Sequence, residues 1–316
     1  MQVNLWVCSL LITERENMKV VYGHTDSIYV QIDSVETAQE VIKVIEDEVR
    51  KSFPNVLGLK QHPVVLEFEK YYSALGVGTV KNRNAGMITW EDGVYLKEPK
   101  FTMTGFTAKR VSETKIAKEF QTNLLKMWAN QATYDEMNKY LSDTYKDVVN
   151  GKVPVADLAK RSRLKEERFK LKCPCQSKYS KKSIHMREMI SIYNCEKCGK
   201  EAKMFTTMEG KRPSIGSGIA GVLYAWEKKN MTFDDSYIFL KVSGVNDKYT
   251  NPLTKEKRDV EYVAGTILSD FDEYTPDYYH YAEQLIKKAK PIYDAMGWTI
   301  TNVRTIKGQT SLEEWF

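Results

Sequence analysis

Long apolar runs are absent from this sequence of 316 residues. No segment approaches the ~18 consecutive apolar residues that a membrane-spanning helix needs. The segment from Leu5 to Ile12 is apolar, but it lacks both the basic lead-in and the small-residue cleavage site of a secretory signal peptide. We therefore expect a cytoplasmic protein without membrane partners.

Charged residues are plentiful but unevenly distributed. A hydrophobic fraction of 42% and a charged fraction of 28% are ordinary for a globular protein, and they exclude disordered and fibrous classes. Between Lys160 and Arg212 there are 16 Lys or Arg against 6 Asp or Glu, a local charge of +10, so the rest of the chain carries about −5. Such a basic segment, here called the basic stripe, favours binding to a polyanion such as nucleic acid, although a solvated loop can have the same composition.

A β-hairpin is predicted around Gly23, which supplies the permissive backbone that a tight reversal needs. The arm before it, Val20 to Tyr22, is rich in strand formers, and the arm after it alternates apolar and polar residues as far as Ile32. Asp26 is then expected at the start of the second strand. A short carboxylate at that point can be held in fixed geometry.

Other elements follow from apolar spacing. Leu5 to Ile12 is predicted to form a helix that is apolar on nearly every side and so requires burial all round. An amphipathic helix is predicted from Val35 to Phe53, with strands at Val64 to Glu69, Ser73 to Val80 and Met87 to Trp90. Two later apolar stripes indicate buried helix faces, namely Ile116, Phe120, Leu124 and Met127, then Met137, Leu141 and Tyr145. The predicted fold class is α+β, an antiparallel sheet with helices followed by a mainly helical part.

Three segments, in order, resemble motifs of family B DNA polymerases. Tyr22-Gly23-His24-Thr25-Asp26-Ser27 resembles the Tyr-Gly-Asp-Thr-Asp-Ser motif of the family's palm domain. Glu67-Phe68-Glu69-Lys70-Tyr71 resembles the strand before the family's Lys-Lys-Arg-Tyr motif, for which this chain has Lys81-Asn82-Arg83-Asn84. Asp277-Tyr278-Tyr279-His280-Tyr281 resembles the Asp-x-x-Tyr-Tyr segment late in the thumb domain. We therefore expect a partial palm followed by a thumb.

The resemblance implies template-directed nucleotidyl transfer by two Mg²⁺ ions. The second aspartate of the family's hairpin is a principal metal ligand, and it corresponds to Asp26. The first aspartate is replaced by His24, a ligand that Mg²⁺ does not prefer. The candidate catalytic residues are thus Asp26 and His24, and the metal site is expected to be weaker or differently tuned than in an intact motif.

The family's other metal-binding aspartate and its nucleotide-binding fingers helix lie upstream of the hairpin, and this sequence has no match for them. One carboxylate cannot hold two metals, so we expect a small subunit of a split polymerase, inactive without a large subunit. The apolar helix predicted at Leu5 to Ile12 would form the interface between the small and the large subunit. The alternative is a non-catalytic remnant that binds DNA and a clamp; a free-standing zinc-ribbon module does not account for the palm motifs.

The resemblance also implies domain limits and contacts with DNA. Residues 1–108 would be the C-terminal part of the palm, 109–306 the thumb with a basic insertion at 166–208, and 307–316 a clamp-binding tail. Four basic residues match family residues that touch the primer–template backbone: Lys81, Arg83, Lys109 and Arg110. Contacts of this kind give affinity and position rather than sequence choice.

Cysteine is scarce, and four of the five cysteines lie in the basic segment. Cys195 and Cys198 have the spacing of a zinc knuckle, since two intervening residues let both thiolates reach one tetrahedral ion. Cys173 and Cys175 have one intervening residue, so either the ligand geometry is strained or His185 replaces one of them. Disulfides are unusual in cytosolic proteins, and we expect structural Zn²⁺. The insertion would grip duplex DNA behind the primer end or clamp a partner subunit.

The last eight residues fit the peptide that docks on sliding clamps, which has Gln, two residues, an aliphatic, two residues and two aromatics. The four anchors are Gln309, Leu312, Trp315 and Phe316. One helical turn brings the three apolar anchors onto one face, from which they can bind a hydrophobic pocket of the clamp together. The motif implies a PCNA-type ring clamp of the archaeal or eukaryotic type, and we expect an archaeal cell or a virus of an archaeal host.

Overall fold

The fold is given by a computed structural model that describes most of the chain. The described residues are 19–24, 27–78, 83–106, 113–163, 167–172, 178–184, 193–194, 198–199, 201–205, 216–231, 233, 236–251 and 256–304. The chain divides into two compact units. Unit 1 comprises Met1–Lys109 and Thr122–Met137, and unit 2 comprises Arg110–Gln121 and Asn138–Phe316. The domain limits expected from the sequence stay predictions.

Unit 1 is built on antiparallel strands and one long helix. β1 (Val20–His24) pairs with β2 (Ser27–Val30), and α1 (Val35–Ser52) follows. β3 (Lys70–Val77), β4 (Asn84–Glu91) and β5 (Val94–Thr104) form an antiparallel sheet with β4 in the centre. The central strand is largely buried because it has a neighbour on each side. The predicted hairpin, the helix predicted from Val35 to Phe53 and the two later strands are confirmed, with shifts of a few residues at their ends. The helix predicted at Leu5 to Ile12 lies outside the described residues.

The strand predicted at Val64 to Glu69 is wrong, since β3 begins only at Lys70. The Val64 carbonyl accepts a hydrogen bond from Arg50 Nε at 3.0 Å, and the Leu66 N–H donates to Glu46 Oε2 at 2.6 Å. Side chains of α1 therefore satisfy backbone groups that a neighbouring strand would otherwise pair. The apolar pattern of the segment reflects burial of Val64 against α1 instead.

Two helices contribute residues to both units. α2 (Lys115–Ala129) and α3 (Tyr134–Val149) carry the two predicted apolar stripes, and the central residues of each stripe are buried. α3 ends just before Gly151, whose φ of +68° is a conformation that favours glycine. Gly151 therefore allows the chain to turn away after the end of α3.

The core of unit 2 is a mixed layer of strands and helices. After α4 (Val155–Leu158) come β6 (Lys160–Arg163), α5 (Ser217–Lys228), β11 (Ser236–Ser243), β12 (Lys248–Thr250), β13 (Lys257–Asp259), β14 (Tyr262–Gly265), a 3₁₀ turn (Leu268–Phe271), β15 (Thr275–Pro276) and α6 (Tyr278–Ala295). β11 pairs antiparallel with β14, β6 and β15. Gly221 lets α5 lie against β14, because a Cβ there would stand 2.8 Å from the Val263 backbone. Tyr278 of α6 packs against Gly151, where a Cβ would stand 3.3 Å from its ring.

The predicted basic insertion contains a four-stranded antiparallel sheet, described at the level of its backbone. Its strands are β7 (Glu167–Lys172), β8 (Lys178–Ile184), β9 (Tyr193–Asn194) and β10 (Glu201–Phe205). Their order in the sheet is β8-β7-β10-β9. The basic stripe therefore includes regular strands rather than a solvated loop alone.

Helices that could cross a bilayer are absent from the described residues, because none combines the required length with the required apolar character.

Candidate functional site

The hairpin that carries the polymerase-like motif is a regular antiparallel pair. Gly23 is the partner of Ile28, and His24 is the partner of Ser27. The described part of β1 therefore ends at His24, and β2 begins at Ser27. Thr25 and Asp26 themselves lie outside the described residues, as does the side chain of His24. The described second strand begins at Ser27, one residue after the position predicted for Asp26, and the roles of Asp26 and His24 stay predictions.

Three tyrosines join this hairpin to the neighbouring strand. The rings of Tyr22 and Tyr29 lie 5.6 Å apart between centroids, and Tyr29 lies 6.1 Å from Tyr72 of β3. Burial, together with the nearby Tyr29 and Glu91, raises the pKa of Tyr72 to about 12. Tyr72 therefore stays a neutral hydroxyl at physiological pH. Aromatic contacts of this kind hold the base of the hairpin in place.

Gly86 of β4 makes room for this arrangement. A Cβ at position 86 would stand 2.5 Å from the Ala74 carbonyl oxygen and 2.8 Å from the Tyr72 ring. Neither distance is accessible to a real side chain, so any larger residue would displace Tyr72 or bend β3. The glycine thus positions the tyrosine that supports the hairpin. The sequence places Gly86 beside the second polymerase-like motif, but its contact with Tyr72 depends on the pairing of β3 with β4.

Of the four predicted DNA contacts, Arg83 is described and the other three are not. Arg83 is half-buried and precedes β4, where its carbonyl accepts a hydrogen bond from the Gly78 N–H at 2.7 Å. Lys81, Lys109 and Arg110 lie outside the described residues. All four stay predicted DNA contacts.

Glu113, which follows closely after Arg110 in the sequence, is the centre of a partly buried ionic cluster in unit 2. Its carboxylate lies 2.5 Å from Lys288 Nζ of α6 and 3.3 Å from Lys160 Nζ of β6, and the Glu113 side chain is 15% exposed. Burial alone would raise the pKa of Glu113, but the hydrogen bond from Lys288 and the charge of Lys160 outweigh it, so this pKa lies below its ordinary value. The next residue, Thr114, caps α2 by accepting from the Ala117 N–H at 3.3 Å. Glu113 therefore fixes the start of α2 to β6 and α6.

Metal ligands are not assembled within the described part of the chain. No group of three or more His, Cys, Asp or Glu residues there could hold a metal ion. Cys198 is described and exposed, whereas Cys173, Cys175, Cys195 and His185 lie outside the described residues, as do the four tail anchors Gln309, Leu312, Trp315 and Phe316. The zinc, magnesium and clamp sites expected from the sequence stay predictions.

Sequence reasoning missed the residues that hold the candidate site in place. Tyr29, Tyr72, Gly86 and Glu113 carried no motif of their own, and each acquires its role through a partner distant in the chain. A usable signal existed for Glu113 alone, because acidic residues are favoured near the start of a helix.

Comparison with known proteins decides the family. The model of DNA polymerase family B matches residues 3–192. The chain belongs to DNA polymerase family B. This family B chain is 25% identical over 154 residues to the DNA polymerase zeta catalytic subunit of Schizosaccharomyces pombe, and 29% identical over 151 residues to that of Arabidopsis thaliana. The resemblance seen in the sequence is thereby confirmed, and family membership supports nucleotidyltransferase chemistry in general.

The matched regions are a small part of these relatives. They cover 48% and 47% of this chain but 10% and 8% of the two zeta subunits. The fold is similar to that of the family B DNA polymerase from the hyperthermophilic archaeon Pyrobaculum calidifontis, with a TM-score of 0.51 and 16% identity over 95% of this chain and 29% of that one. This likeness confirms the predicted α+β class with antiparallel sheets and helices. The thumb and the zinc-ribbon insertion are not tested by it.

Proposed function

We propose that this chain provides the C-terminal palm and the thumb of a DNA-directed DNA polymerase. The observation that carries the proposal is the β1–β2 hairpin, since its paired residues His24 and Ser27 belong to the segment that resembles the family's palm motif, within the region that the family model matches. Asp26 is the carboxylate of that motif. Lys81, Arg83, Lys109 and Arg110 would hold the primer–template backbone, and the incoming nucleotide would be a dNTP.

Asp26 is the residue proposed to hold Mg²⁺. The family's Mg²⁺ ions, when bound, stabilise the attacking 3′-oxygen and the leaving pyrophosphate. A carboxylate is the ligand type that Mg²⁺ prefers, and the tyrosines Tyr22, Tyr29 and Tyr72 would keep its strand in register. His24 occupies the position of a second carboxylate, so it would lower the affinity of the site for Mg²⁺.

The remaining carboxylate and the fingers would come from polymerase segments beyond the 316 residues of this sequence. A large subunit is the arrangement proposed, with this chain as a small subunit that is inactive alone. A longer single polypeptide would satisfy the same chemistry. The mass of the protein isolated from its natural source separates the two arrangements.

The proposal is tested by primer extension. The purified chain is mixed with a polypeptide that carries the remaining palm aspartate and the fingers, together with primer–template DNA, dNTPs and Mg²⁺. We expect extension by the mixture and none by either chain alone. A mixture that forms a stable complex on DNA but adds no nucleotide would contradict the proposed activity and favour the non-catalytic remnant.

A structural zinc ion is proposed for the four-cysteine cluster. β7 ends just before Cys173, and β10 begins just after Cys198. Because Lys172 is the partner of Lys203, the end of β7 and the start of β10 lie at the same end of the sheet. The two strand ends that adjoin the cysteine pairs in the sequence thus lie at one end of the sheet, which supports a shared tetrahedral ion.

Metal analysis tests the zinc proposal. We expect about one zinc ion per chain in the purified protein, and loss of most of it in Cys195→Ser, since a three-ligand site binds zinc less tightly. Cys8→Ser is the matched control, because that cysteine lies outside the cluster, and it should retain the metal. Equal zinc content in the two variants would rule out the four-cysteine site.

Docking on a ring-shaped sliding clamp is proposed for the C-terminal peptide. Aromatic anchors in such interfaces contribute about 2 kcal/mol each. Phe316→Ala is therefore expected to weaken binding to an immobilised PCNA-type clamp by about 30-fold. Thr310→Ala, which alters a spacer position of the same peptide, should leave the affinity unchanged. Equal affinity of the Phe316 variant and the wild type would overturn the docking proposal.

A further inference from the structure

The sheet formed by β7 to β10 places three lysines side by side. Lys172 of β7 is the register partner of Lys178 on β8 and also of Lys203 on β10. β7 lies between β8 and β10 in the sheet. These three residues, here called the lysine row, therefore lie on three neighbouring strands. Adjacent strands are about 4.8 Å apart, so the row spans about 10 Å.

The next row of the same sheet is apolar. Leu171 is the partner of Tyr179 and of Met204. Successive residues of a strand belong to opposite faces, so this apolar row and the lysine row lie on different faces of the sheet. Neither face is uniform, since Phe205, the partner of Lys170, shares the face of the lysine row, and Lys181, the partner of Phe169, shares the face of the apolar row. The lysine row itself lies wholly on one face of the sheet.

The charge of that face is not balanced within the sheet. Lys170 precedes Lys172 by two residues and therefore shares its face. Strand alternation places one acidic residue of β7 to β10 on that face, namely Glu201, which lies two residues before Lys203. Like charges directly opposite each other destabilise a sheet. Three lysines in one row therefore repel each other, and an external anion would stabilise them.

We propose that the lysine row binds the phosphate backbone of DNA. A polyanion supplies closely spaced negative charges along one line, and each phosphate neutralised by a lysine releases condensed counterions. Lysine acts as a point charge, so the row would contribute affinity and position rather than sequence choice. The choice of DNA as the polyanion rests on the proposed function, whereas the geometry of the row does not. The segment from Lys160 to Arg212 carries a charge of +10, which adds to the attraction.

Equilibrium binding to a primer–template duplex tests this site without dNTPs, Mg²⁺ or a second polypeptide. The triple variant Lys172→Gln, Lys178→Gln, Lys203→Gln is compared with the wild type over a series of salt concentrations. The variant lacks three lysines, each of which could neutralise one phosphate. The slope of the logarithm of the binding constant against the logarithm of the salt concentration should therefore become less steep by about 2 to 3. The variant should unfold at the same temperature as the wild type or higher in the absence of DNA, because repulsion within the row is removed.

A matched control removes the same charge elsewhere in unit 2. Lys139, Lys152 and Lys290 are well exposed, with side-chain exposures of 77%, 67% and 65%, and Gln at all three should leave the slope unchanged. Equal slopes for the wild type and the lysine-row variant would overturn the proposal, as would an equal reduction of the slope in the control variant. Vesicles of phosphatidylserine and phosphatidylcholine form a further arm; row-dependent binding to them as tight as to DNA would overturn the assignment to DNA. Failure of primer extension would leave all these results untouched.

Discussion

Replacing Asp26 with alanine is expected to reduce primer extension by about 10³-fold or more in the reconstituted polymerase. The aspartate is proposed to hold Mg²⁺, and no cluster of His, Cys, Asp or Glu within the described residues could replace it. The rate of single-nucleotide addition to saturating primer–template measures the effect. DNA affinity, measured separately, should be nearly unchanged, because the proposed phosphate-binding residues lie elsewhere.

Two further variants sharpen this result. Asp33→Ala removes an exposed carboxylate from the loop after β2 and should leave the rate unchanged. His24→Asp restores the family motif and is expected to raise the rate at low Mg²⁺, since a second carboxylate strengthens the metal site. Extension by the Asp26 variant at the rate of the Asp33 control would show that Asp26 has no part in metal binding.

Replacing Glu113 with glutamine is expected to lower the free energy of unfolding of unit 2 by about 3 kcal/mol. The carboxylate lies between Lys288 and Lys160, and the exposures of these two side chains are 13% and 27%. A neutral amide would leave both ammonium groups partly buried without a counter-charge. The start of α2 would lose its link to β6 and α6. Chemical denaturation at neutral pH measures the loss.

The effect of Glu113 should depend on pH in a definite direction. Because its pKa in the folded state is lowered from 4.5, the ionised carboxylate stabilises the fold fully above that value, and the stabilisation is lost as the pH falls below it. The difference between wild type and Glu113→Gln should therefore shrink in acid. Glu119→Gln is the control: its partner Lys115 is 3.8 Å away and both are exposed, so its cost should stay below about 0.5 kcal/mol. Equal destabilisation by the two variants would contradict the role of Glu113.

Local patterns predicted the elements that depend on near neighbours. The hairpin around Gly23, the helix from Val35 and the stripes of α2 and α3 follow from spacing that one strand or one helix face imposes. The strand expected at Val64 to Glu69 failed because alternation cannot show what satisfies the backbone. In the fold, the partners are side chains of α1.

The sequence by itself determined the family, the position of Asp26 within a hairpin motif and the basic character of the segment from Lys160 to Arg212. These properties reside in residue order and composition. Only the tertiary structure decided that Tyr72 supports the hairpin through Gly86, that Glu113 joins α2 to β6 and α6, and that three lysines share one row of a sheet. The physical reason is that register and packing bring together residues far apart in the chain, and no local pattern encodes which strands become neighbours.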